Sequence, residues 1–329
     1  MECMEVTPAG PEDQEAIAKL LRSIFGSEMS PTLLSPELLK WKFFSPRPGL
    51  TGSRSFVIRD ADEIVAHGCE WPVSFLAPAG EVFGCHIIDW AARPEAKGTG
   101  VHMYQHLMAK NQTVLAIGGS THARKLLPRL GFKPCGRLDG FARVVRPWRQ
   151  YRSRPRRAGW REVGRFARNA MWSLEPLKTT APSWTTSPMA DAYALPGSVM
   201  RIAASTFCCG VRSASFLQYL LECPIMKCSL FALSRTGVPC GYFVLNTIAG
   251  QCRIIDLAVD SETPADWVAA YRMAVATARR LKTTYEITAV SSLPWLSEAL
   301  SQIGFRLREQ TPVMLYDPMG RNWKLYTPL

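Results

Sequence analysis

The same order of helix and strand patterns occurs twice along the chain, and this repeat restricts the possible folds more than any other feature. In each half two helical stretches come first, followed by three strands, a helix, a strand, a helix and a last strand. Helical stretches carry apolar residues three and four apart, whereas strands are short alternating or continuously apolar runs. The repeat indicates duplication of one α/β unit. With 329 residues the chain is long enough for two domains, each with its own core.

The first half shows the pattern most clearly. A helix is predicted over residues 36–44 because Ser35 and Pro36 suit a helix start. The helix that closes the half should end at Gly131. The other predicted helices cover 13–25 and about 100–110, and the strands cover 55–60, 63–77, 81–92 and 113–119.

The net charge of +12 is concentrated in the middle of the chain. Between residues 141 and 168 lie one acidic residue and ten arginines, at positions 143, 146, 149, 152, 154, 156, 157, 161, 165 and 168. This arginine cluster (143–168) contributes +9, so the rest of the chain carries only +3. Residues 160–174 place apolar side chains at helical spacing with Arg161, Arg165 and Arg168 on the other side, which predicts a basic amphipathic helix.

Three interpretations of the arginine cluster stay open. The first is a solvated linker, because runs of like charge usually face water. The second is contact with an anionic membrane surface, because Trp160, Phe166, Met171 and Trp172 add an apolar face to the basic one. The third is nucleic-acid binding, which is the least favoured because no RNA- or DNA-binding motif accompanies the charge.

A glycine-bearing loop between a strand and a helix is the strongest candidate binding site. The apolar strand 87–92 runs into Arg93-Pro94-Glu95-Ala96-Lys97-Gly98-Thr99-Gly100, where a helix begins. Glycines let backbone N–H groups approach a ligand closely, and a helix N-terminus adds a positive dipole, so the arrangement suits a pyrophosphate. The P-loop pattern is absent, and Met103 breaks the dinucleotide-binding pattern of three glycines.

At these residues the first half resembles the GNAT superfamily of acyl-CoA-dependent N-acyltransferases, whose pyrophosphate loop reads Q/R-x-x-G-x-G/A. Residues 95–100 match both glycines, with Lys97 as the basic member and Glu95 in place of Gln or Arg. The family's second motif, N/S-x-x-A-x-x-L-Y-x-x-L-G-F, is matched within residues 120–132 at Ala123, Leu126, Leu130, Gly131 and Phe132. The resemblance covers residues 1–145. It implies acetyl-CoA or another acyl-CoA as co-substrate, no metal, and a cofactor-binding set of Glu95, Ala96, Lys97, Gly98, Thr99, Gly100, Ser120 and Ala123.

The resemblance implies an α/β (α+β) fold of two GNAT-like domains, each a mixed, mainly antiparallel central sheet flanked by helices. The acyl-CoA-binding domain is predicted over 1–145, an arginine-rich linker over 146–195, and a degenerate GNAT-like domain over 196–329. In the second half residues 299–305 look like the second motif. Residues 261–266, where the glycine loop should be, contain no glycine and are acidic, so they would repel a pyrophosphate.

Two residues of the strand before the glycine loop are candidates for the base that takes a proton from an attacking amine. His86 is favoured because a histidine titrates near neutral pH, although a structural, hydrogen-bonded histidine is an equal alternative. Asp89 lies in the opposite alternation phase, so at most one of the two should point into the cleft. His67, on the preceding strand, is a weaker candidate.

Many family members use the tyrosine of the second motif as the acid that protonates the departing CoA thiolate. Leu127 stands at that position here. Another group or solvent therefore supplies that proton, or the domain is not catalytic.

A metal site receives little support from the sequence. His102 and His106 are four residues apart on a predicted helix, which is a metal-binding spacing, but no third ligand is indicated. No C-x-x-C pair is present among the ten cysteines. The predicted reaction needs no metal.

The predicted function is transfer of an acyl group, acetyl first of all, directly from acyl-CoA to an amine acceptor such as an aminosugar or a cell-envelope precursor. Two alternatives stay open: a non-catalytic CoA- or membrane-binding protein, and an aminoacyl-tRNA-dependent transferase of similar tandem architecture. The acidic N-terminus and the lack of long apolar runs predict a cytoplasmic protein, peripheral at the inner face of the membrane if the arginine cluster binds lipid. The oligomeric state is open, and an exposed strand edge would allow a homodimer.

Overall fold

The computed structural model describes residues 4–26, 30–47, 50, 52–77, 80–153, 160–174, 183–200 and 209–320 of the 329-residue chain. The helices there are α1 (Gln14–Phe25), α2 (Pro36–Leu39), α3 (Thr99–Lys110), α4 (Thr121–Leu126), α5 (Pro147–Ser153), α6 (Trp160–Ser173), α7 (Gly197–Met200), α8 (Ala214–Leu221), α9 (Pro264–Arg280) and α10 (Pro294–Gln302). The strands are β1 (Val6–Pro8), β2 (Ser55–Asp60), β3 (Glu63–Ala77), β4 (Gly80–Ala92), β5 (Val114–Ile117), β6 (Lys133–Val144), β7 (Trp184–Met189), β8 (Cys209–Gly210), β9 (Lys227–Arg235), β10 (Val238–Ile248), β11 (Gln251–Val259), β12 (Glu286–Ser291) and β13 (Arg306–Tyr316).

The repeated order predicted from the sequence is confirmed in both halves. Several predicted ends are also confirmed: Ser35 caps α2 by accepting a hydrogen bond from the Leu38 amide, and a π-helical turn (Lys40–Phe44) extends that helix to 44. A 3₁₀ turn after α4 ends at Gly131, whose φ of 91° stops the helix.

The predicted linker 146–195 contains regular structure at both ends. The basic helix is present as α6. Residues 184–189, expected to be irregular, form the edge strand β7 beside β9. Pro188 is tolerated there because an edge strand leaves one side without ladder hydrogen bonds. Of the predicted helix 198–207, the part from 201 onward lies outside the described residues, and α7 covers its start.

All thirteen strands of the described ranges belong to one sheet, in the order β1-β2-β3-β4-β5-β13-β6-β12-β11-β10-β9-β7, with β8 beside β3. The pairs β4–β5 and β11–β12 are parallel, and the other neighbours are antiparallel. The predicted fold class, a mixed and mainly antiparallel sheet flanked by helices, is therefore confirmed.

The two halves exchange their last strands at the centre of the sheet. β13, from the end of the chain, lies between β5 and β6, and β6 lies between β13 and β12. The cores follow this exchange. Phe141 of β6 belongs to the buried cluster of the second half, and Met314 of β13 belongs to a cluster of the first half. The two-domain division predicted at residue 145 stays a prediction. Any such division has to include the exchange of β6 and β13 between the two halves.

Candidate functional site

The strands β4 and β5 separate soon after they meet. They pair at Cys85–Val114 and His86–Leu115 and then diverge. Their close approach requires Gly84, because a Cβ there would lie 2.7 Å from the Thr113 carbonyl oxygen. A cavity of about 1200 Å³ lies between the diverging strands, where it is bounded by the glycine loop, the start of α3 and residues 116–127. We call this cavity the first cleft.

A β-bulge shapes the β4 wall of the first cleft. The register of β3 and β4 shifts between His67 and Cys69, and Asp89, opposite this point, has a φ of 51°. Such a backbone is uncommon for a residue with a side chain and persists only where its surroundings hold it. Lys42, just after α2, forms an ion pair with the Asp89 carboxylate. The carboxylate therefore has a partner that fixes the bulge.

His67 holds the same bulge from behind. It is fully buried, its Nδ1–H donates to the Asp89 carbonyl oxygen at 2.9 Å, and its Nε2 accepts from the Ser55 hydroxyl at 2.9 Å. Burial lowers the pKa of His67 to about 4, so the ring is neutral near pH 7. With both ring nitrogens engaged, His67 has no free nitrogen for proton transfer and acts as a positioning residue.

Both candidate bases line the first cleft. The prediction that at most one of His86 and Asp89 would point into it assumed strict alternation along β4, which the bulge breaks by inserting one residue. Burial, with Lys42 adding to the effect and Asp89 opposing it, lowers the pKa of His86 to about 4. His86 is therefore neutral near pH 7, but the expectation that it titrates near neutral pH is wrong, because burial makes it a weaker base. The Asp89 carboxylate is held by Lys42.

The glycine loop has the conformation that its sequence requires. Gly98 adopts a φ of 87° directly before α3, and a Cβ added there would meet nothing within 4 Å. The loop turns on itself: the Ala96 amide donates to the Arg93 carbonyl, and the Thr99 hydroxyl donates to the Ala96 carbonyl at 2.7 Å. No acidic residue occupies the first turn of α3. The helix start thus presents unneutralised positive dipole to the cleft.

The structure divides the predicted cofactor-binding residues into two groups. Glu95 is exposed, and Thr99 is buried within the loop, and neither lines the cleft. The residues that line it are Ala96, Lys97, Gly98, Gly100, Ser120 and Ala123. Ser120 also caps α4 by accepting a hydrogen bond from the Ala123 amide.

Three cleft residues were missed by the sequence analysis. Gly118 and Gly119 follow β5 with φ values of 71° and 92°, and their adjacency after an apolar strand was an available signal. Tyr104 lies one turn beyond Gly100 and packs edge-on against Trp90, with ring centroids 4.7 Å apart. Burial raises the pKa of Tyr104, so its hydroxyl stays protonated. Leu127, at the family's acid position, is only 3% exposed and packs in the core.

The second half contains a counterpart of this arrangement. β11 and β12 pair in parallel from Gln251 to Arg253 and then diverge around a smaller cavity of about 500 Å³, which we call the second cleft. The register of β10 and β11 shifts beside Asp256, which is another bulge. Arg212 binds both oxygens of the Asp256 carboxylate, and the Tyr242 hydroxyl donates to it at 2.8 Å.

The loop before α9 does not resemble the glycine loop. Thr263 and Pro264 begin the helix, and Asp266 lies in its first turn. The Asp266 carboxylate accepts from the Ser261 hydroxyl at 2.6 Å and pairs with Arg235 at 2.8 Å. The Asp266 carboxylate therefore already neutralises the start of α9, where a phosphate would otherwise bind.

Three arginines of the cluster donate hydrogen bonds to the second half; Arg143 is buried, Arg146 is partly exposed and Arg149 is exposed. Arg143 donates to the Ile303 carbonyl, Arg146 to carbonyls at the end of α9, and Arg149 to the Lys282 carbonyl. Arg165 pairs with Glu162. Arg154, Arg156 and Arg157 lie outside the described residues.

No protein-family model and no curated protein sequence matches the chain. Solved structures do match it. The N-myristoyltransferase of Saccharomyces cerevisiae, solved with bound myristoyl-CoA, superposes with a TM-score of 0.64 at 13% identity, over 96% of this chain and 83% of that one. A GCN5-related N-acetyltransferase from Anabaena variabilis gives 0.61 at 14% identity, over 96% and 73%. A probable N-acyltransferase from Enterococcus faecalis gives 0.59 at 12%, over 95% and 72%.

The chain has the GNAT fold. At these identities the likeness shows the fold alone, and it extends over nearly the whole chain rather than over residues 1–145 only. The GNAT fold of the first half was predicted from two short motifs, and that of the second half from one motif and the repeated order of elements. Both predictions of the fold are confirmed.

Two other sequence predictions concern metals and membranes. Within the described ranges, no group of three or more His, Cys, Asp or Glu side chains is placed to bind a metal ion. None of the helices described is long and apolar enough to cross a membrane.

Proposed function

We propose that the protein is an acyl-CoA-dependent N-acyltransferase whose donor binds in the first cleft. The observation that carries this proposal is the combination of diverging strands, a positive-φ glycine and a helix start without acidic residues around one cavity. A pyrophosphate fits that helix start, because the first amides of a helix have no carbonyl one turn earlier to bond. Lys97, exposed beside it, adds a positive charge.

The rest of the donor runs along the cleft towards the point where β4 and β5 meet. Beyond His86, no strand among the described residues pairs with the edge of β4 that faces β5, so its backbone groups are available to orient a pantetheine arm and a thioester. The bulge at Asp89 sets the direction of this wall, which explains why Lys42 and His67 both hold it. In this arrangement the thioester lies near His86.

His86 is the proposed base of the transfer step. The amine nitrogen attacks the thioester carbonyl carbon, a C–N bond forms, and the C–S bond breaks. The proton lost by the amine passes to His86, and the departing thiolate takes a proton from solvent, since Leu127 offers none. A neutral imidazole can take the proton without first losing one, and because burial lowers its pKa, the protonated ring readily passes that proton on to solvent.

Titration calorimetry on the full chain tests the donor site. We expect acetyl-CoA, or a longer acyl-CoA up to myristoyl, to bind with a Kd near 1 μM, about −8 kcal/mol. The full chain is needed because β13 completes the sheet beside β5. No binding by any acyl-CoA would contradict the proposal.

Turnover on an amine panel then separates the alternatives. Release of free CoA with an acylated product supports transfer. Acyl-CoA binding without turnover on aminosugars, peptides, polyamines and small amines would favour the non-catalytic alternative. Transfer that requires charged tRNA and ignores acyl-CoA would favour the tRNA-dependent one.

A second proposed activity is contact with an anionic membrane surface through α6. Helical spacing places four exposed side chains in one outward stripe, namely Trp160, Val163, Met171 and Leu174, which are 62–81% exposed. Asn169, on the opposite side, is buried and donates to Gln150. Arg161 and Arg168 flank the stripe and lie over Trp160 and Trp172. An apolar stripe bordered by arginines suits the interface of an anionic bilayer.

Flotation with vesicles containing phosphatidylserine tests the membrane proposal. We expect the wild type to float at low salt and to be released as salt rises, because exposed charges are screened. The Trp160→Ser/Leu174→Ser variant should stay at the bottom, whereas Val238→Ser, which changes an exposed residue on β10, should behave as wild type. Equal flotation of all three proteins, or flotation on neutral vesicles only, would contradict the proposal.

A further inference from the structure

A third cavity, of about 410 Å³, lies where the two halves meet. One wall is β3 from Trp71 to Phe75, and the other comes from the start of α8 and from the bulge of β11. Arg47, from the segment after α2, also lines it. We call this cavity the junction pocket.

Arg47 is a buried cation without an anion. The residue is 7% exposed, and its buried Nη1 has no hydrogen-bond partner. Burial, reinforced by Arg54 and opposed by Tyr219, lowers the pKa of Arg47 to about 10, so the guanidinium remains charged near pH 7. Leaving a charge out of water without a partner costs several kcal/mol.

Two nearby arginines differ from Arg47 in that their terminal guanidinium nitrogens have oxygen partners, although the Arg54 Nε has none. Arg54 donates to the carbonyls of Ser45, Trp41 and Lys42 at 2.7–3.0 Å. Arg212, on the opposite wall of the junction pocket, binds the Asp256 carboxylate with its Nε at 2.9 Å. Among the described residues that line the pocket, Arg47 is the buried cation that no carboxylate neutralises.

Aromatic rings hold the Arg47 guanidinium in place. Its Cζ lies 4.2 Å from the ring centroid of Trp71, 5.2 Å from that of Tyr219 and 5.7 Å from that of Phe216. Tyr219 is fixed in turn by stacking on Trp41, with centroids 4.5 Å apart. Rings bind the faces of a guanidinium and leave its N–H edge available. That edge matches the two oxygens of a carboxylate or phosphate.

The junction pocket adjoins the proposed reaction centre. Trp71 and His86 are direct register partners on the antiparallel strands β3 and β4. Side chains of such partners lie on the same face of the sheet, with Cβ atoms about 5 Å apart. His86 lines the first cleft, and Trp71 lines the junction pocket under Arg47. The two cavities therefore lie beside one pair of register partners, Trp71 and His86.

We propose that Arg47 binds an oxyanion of the acceptor, so that the acceptor is a small molecule with an amine at one end and a carboxylate or phosphate at the other. This inference rests on the proposed function, and it narrows the class of amines that the protein acylates. The buried charge of Arg47 is then neutralised when the acceptor binds, and the aromatic rings orient the guanidinium beforehand.

Matched pairs of amines test the inference. The probes are the ω-amino acids from β-alanine to 6-aminohexanoate, each compared with its primary amide, and phosphoethanolamine compared with ethanolamine. For the wild type we expect kcat/KM to be at least thirtyfold higher for the anionic member at the best chain length. The carboxylate and phosphate pairs show which oxyanion is preferred, and the best length measures the distance from Arg47 to the thioester.

The Arg47→Met variant should lose this preference. We expect its kcat/KM for the anionic acceptor to fall at least thirtyfold while that for the amide stays within threefold of wild type, with unchanged acyl-CoA affinity. Arg22→Met, which removes an exposed arginine of α1, is the matched control and should keep the preference. Equal rates for charged and uncharged acceptors in the wild type, or equal loss on both in Arg47→Met, would overturn the inference.

Thermal unfolding separates binding from a structural role. Arg47→Met should be as stable as the wild type or more stable, because it removes an unpaired buried charge and keeps much of the side-chain volume. At least one of the ω-amino acids or phosphoethanolamine should raise the Tm of the wild type, and none should raise that of Arg47→Met. A clear loss of stability in the variant, or no Tm response in the wild type, would assign Arg47 a structural role. This measurement decides the inference even if no amine is acylated, in which case the proposed function alone fails.

Discussion

The first cleft, between β4 and β5, and the second cleft, between β11 and β12, begin in the same way. In each, two strands pair in parallel over a few residues and diverge, and the earlier strand carries a bulge with an aspartate bound to a cation from the preceding helical region. The two clefts differ at the start of the helix that follows. Gly98 precedes α3, whose first turn has no acidic residue, whereas α9 begins at Thr263 and Pro264 and has Asp266 in its first turn. The two halves therefore share the frame of diverging strands, and they differ in the charge at the helix start that follows it.

The largest expected difference between the clefts concerns His86. His86→Gln should lower kcat by about a thousandfold, within the range of general-base catalysis, and leave acyl-CoA affinity unchanged. Arg253 occupies the corresponding last paired position of β11, so Arg253→Gln should leave kcat within threefold of wild type. Steady-state kinetics with calorimetry of donor binding checks both variants. A His86→Gln enzyme with normal kcat would remove His86 from the mechanism.

The two bulges should respond differently to acid. His67 supports the first bulge with a pKa lowered by burial to about 4, below the 6.5 of an unfolded histidine. Its contribution to stability is complete above pH 6.5 and is lost as the pH falls towards 4, by up to roughly 3 kcal/mol. Tyr242 supports the second bulge, and burial raises its pKa, so it does not titrate in this window.

Urea unfolding at pH 7, 5.5 and 4.5 measures this difference. His67→Asn keeps a donor towards the Asp89 carbonyl and cannot titrate, so its free energy of unfolding should depend less on pH than that of the wild type. Tyr242→Phe should keep the wild-type pH dependence. The same slope in all three proteins would mean that His67 does not stay neutral in the folded state.

Blocking the glycine loop should affect only the first cleft. Gly98→Val places a β-branched side chain where φ is 87° and fills the approach to the α3 amides, so acyl-CoA affinity should fall about a hundredfold, or ~2.7 kcal/mol. Thr263→Val, at the start of α9, should leave the affinity unchanged. Calorimetry checks both, and Tm values distinguish lost binding from unfolding. Wild-type affinity in Gly98→Val would exclude the loop as the pyrophosphate site.

The smallest expected effect lies in the second cleft. Asp266→Asn removes the carboxylate that neutralises the start of α9 and pairs with Arg235. The free energy of unfolding should fall by about 1 kcal/mol, typical of a charge at a helix terminus. Donor binding should not change. If Asp266→Asn instead created a second acyl-CoA site, the acidic loop would be the main reason that the second cleft does not bind the donor.

The sequence predicted the elements and the donor loop because both depend on residues close together in the chain. Hydrophobic spacing located α1, α3, α9 and most of the strands, and Gly98 identified the loop. The position of Asp89 relative to the first cleft could not be predicted. One inserted residue changes the alternation of side chains along β4, and nothing local in the sequence marks a bulge with an aspartate at positive φ. Arg47 was missed because its cavity is built from segments about 25 to 210 residues away in the chain.

The position of β13 has a consequence for how the protein is made. The strand that flanks β5 comes from residues 306–316, which leave the ribosome long after β5 itself. Until then β5 has an open edge and the cluster around Met314 is incomplete. The sheet beside the first cleft is therefore completed only after β13 has been made, and a chain terminated before residue 306 lacks the strand that covers the edge of β5.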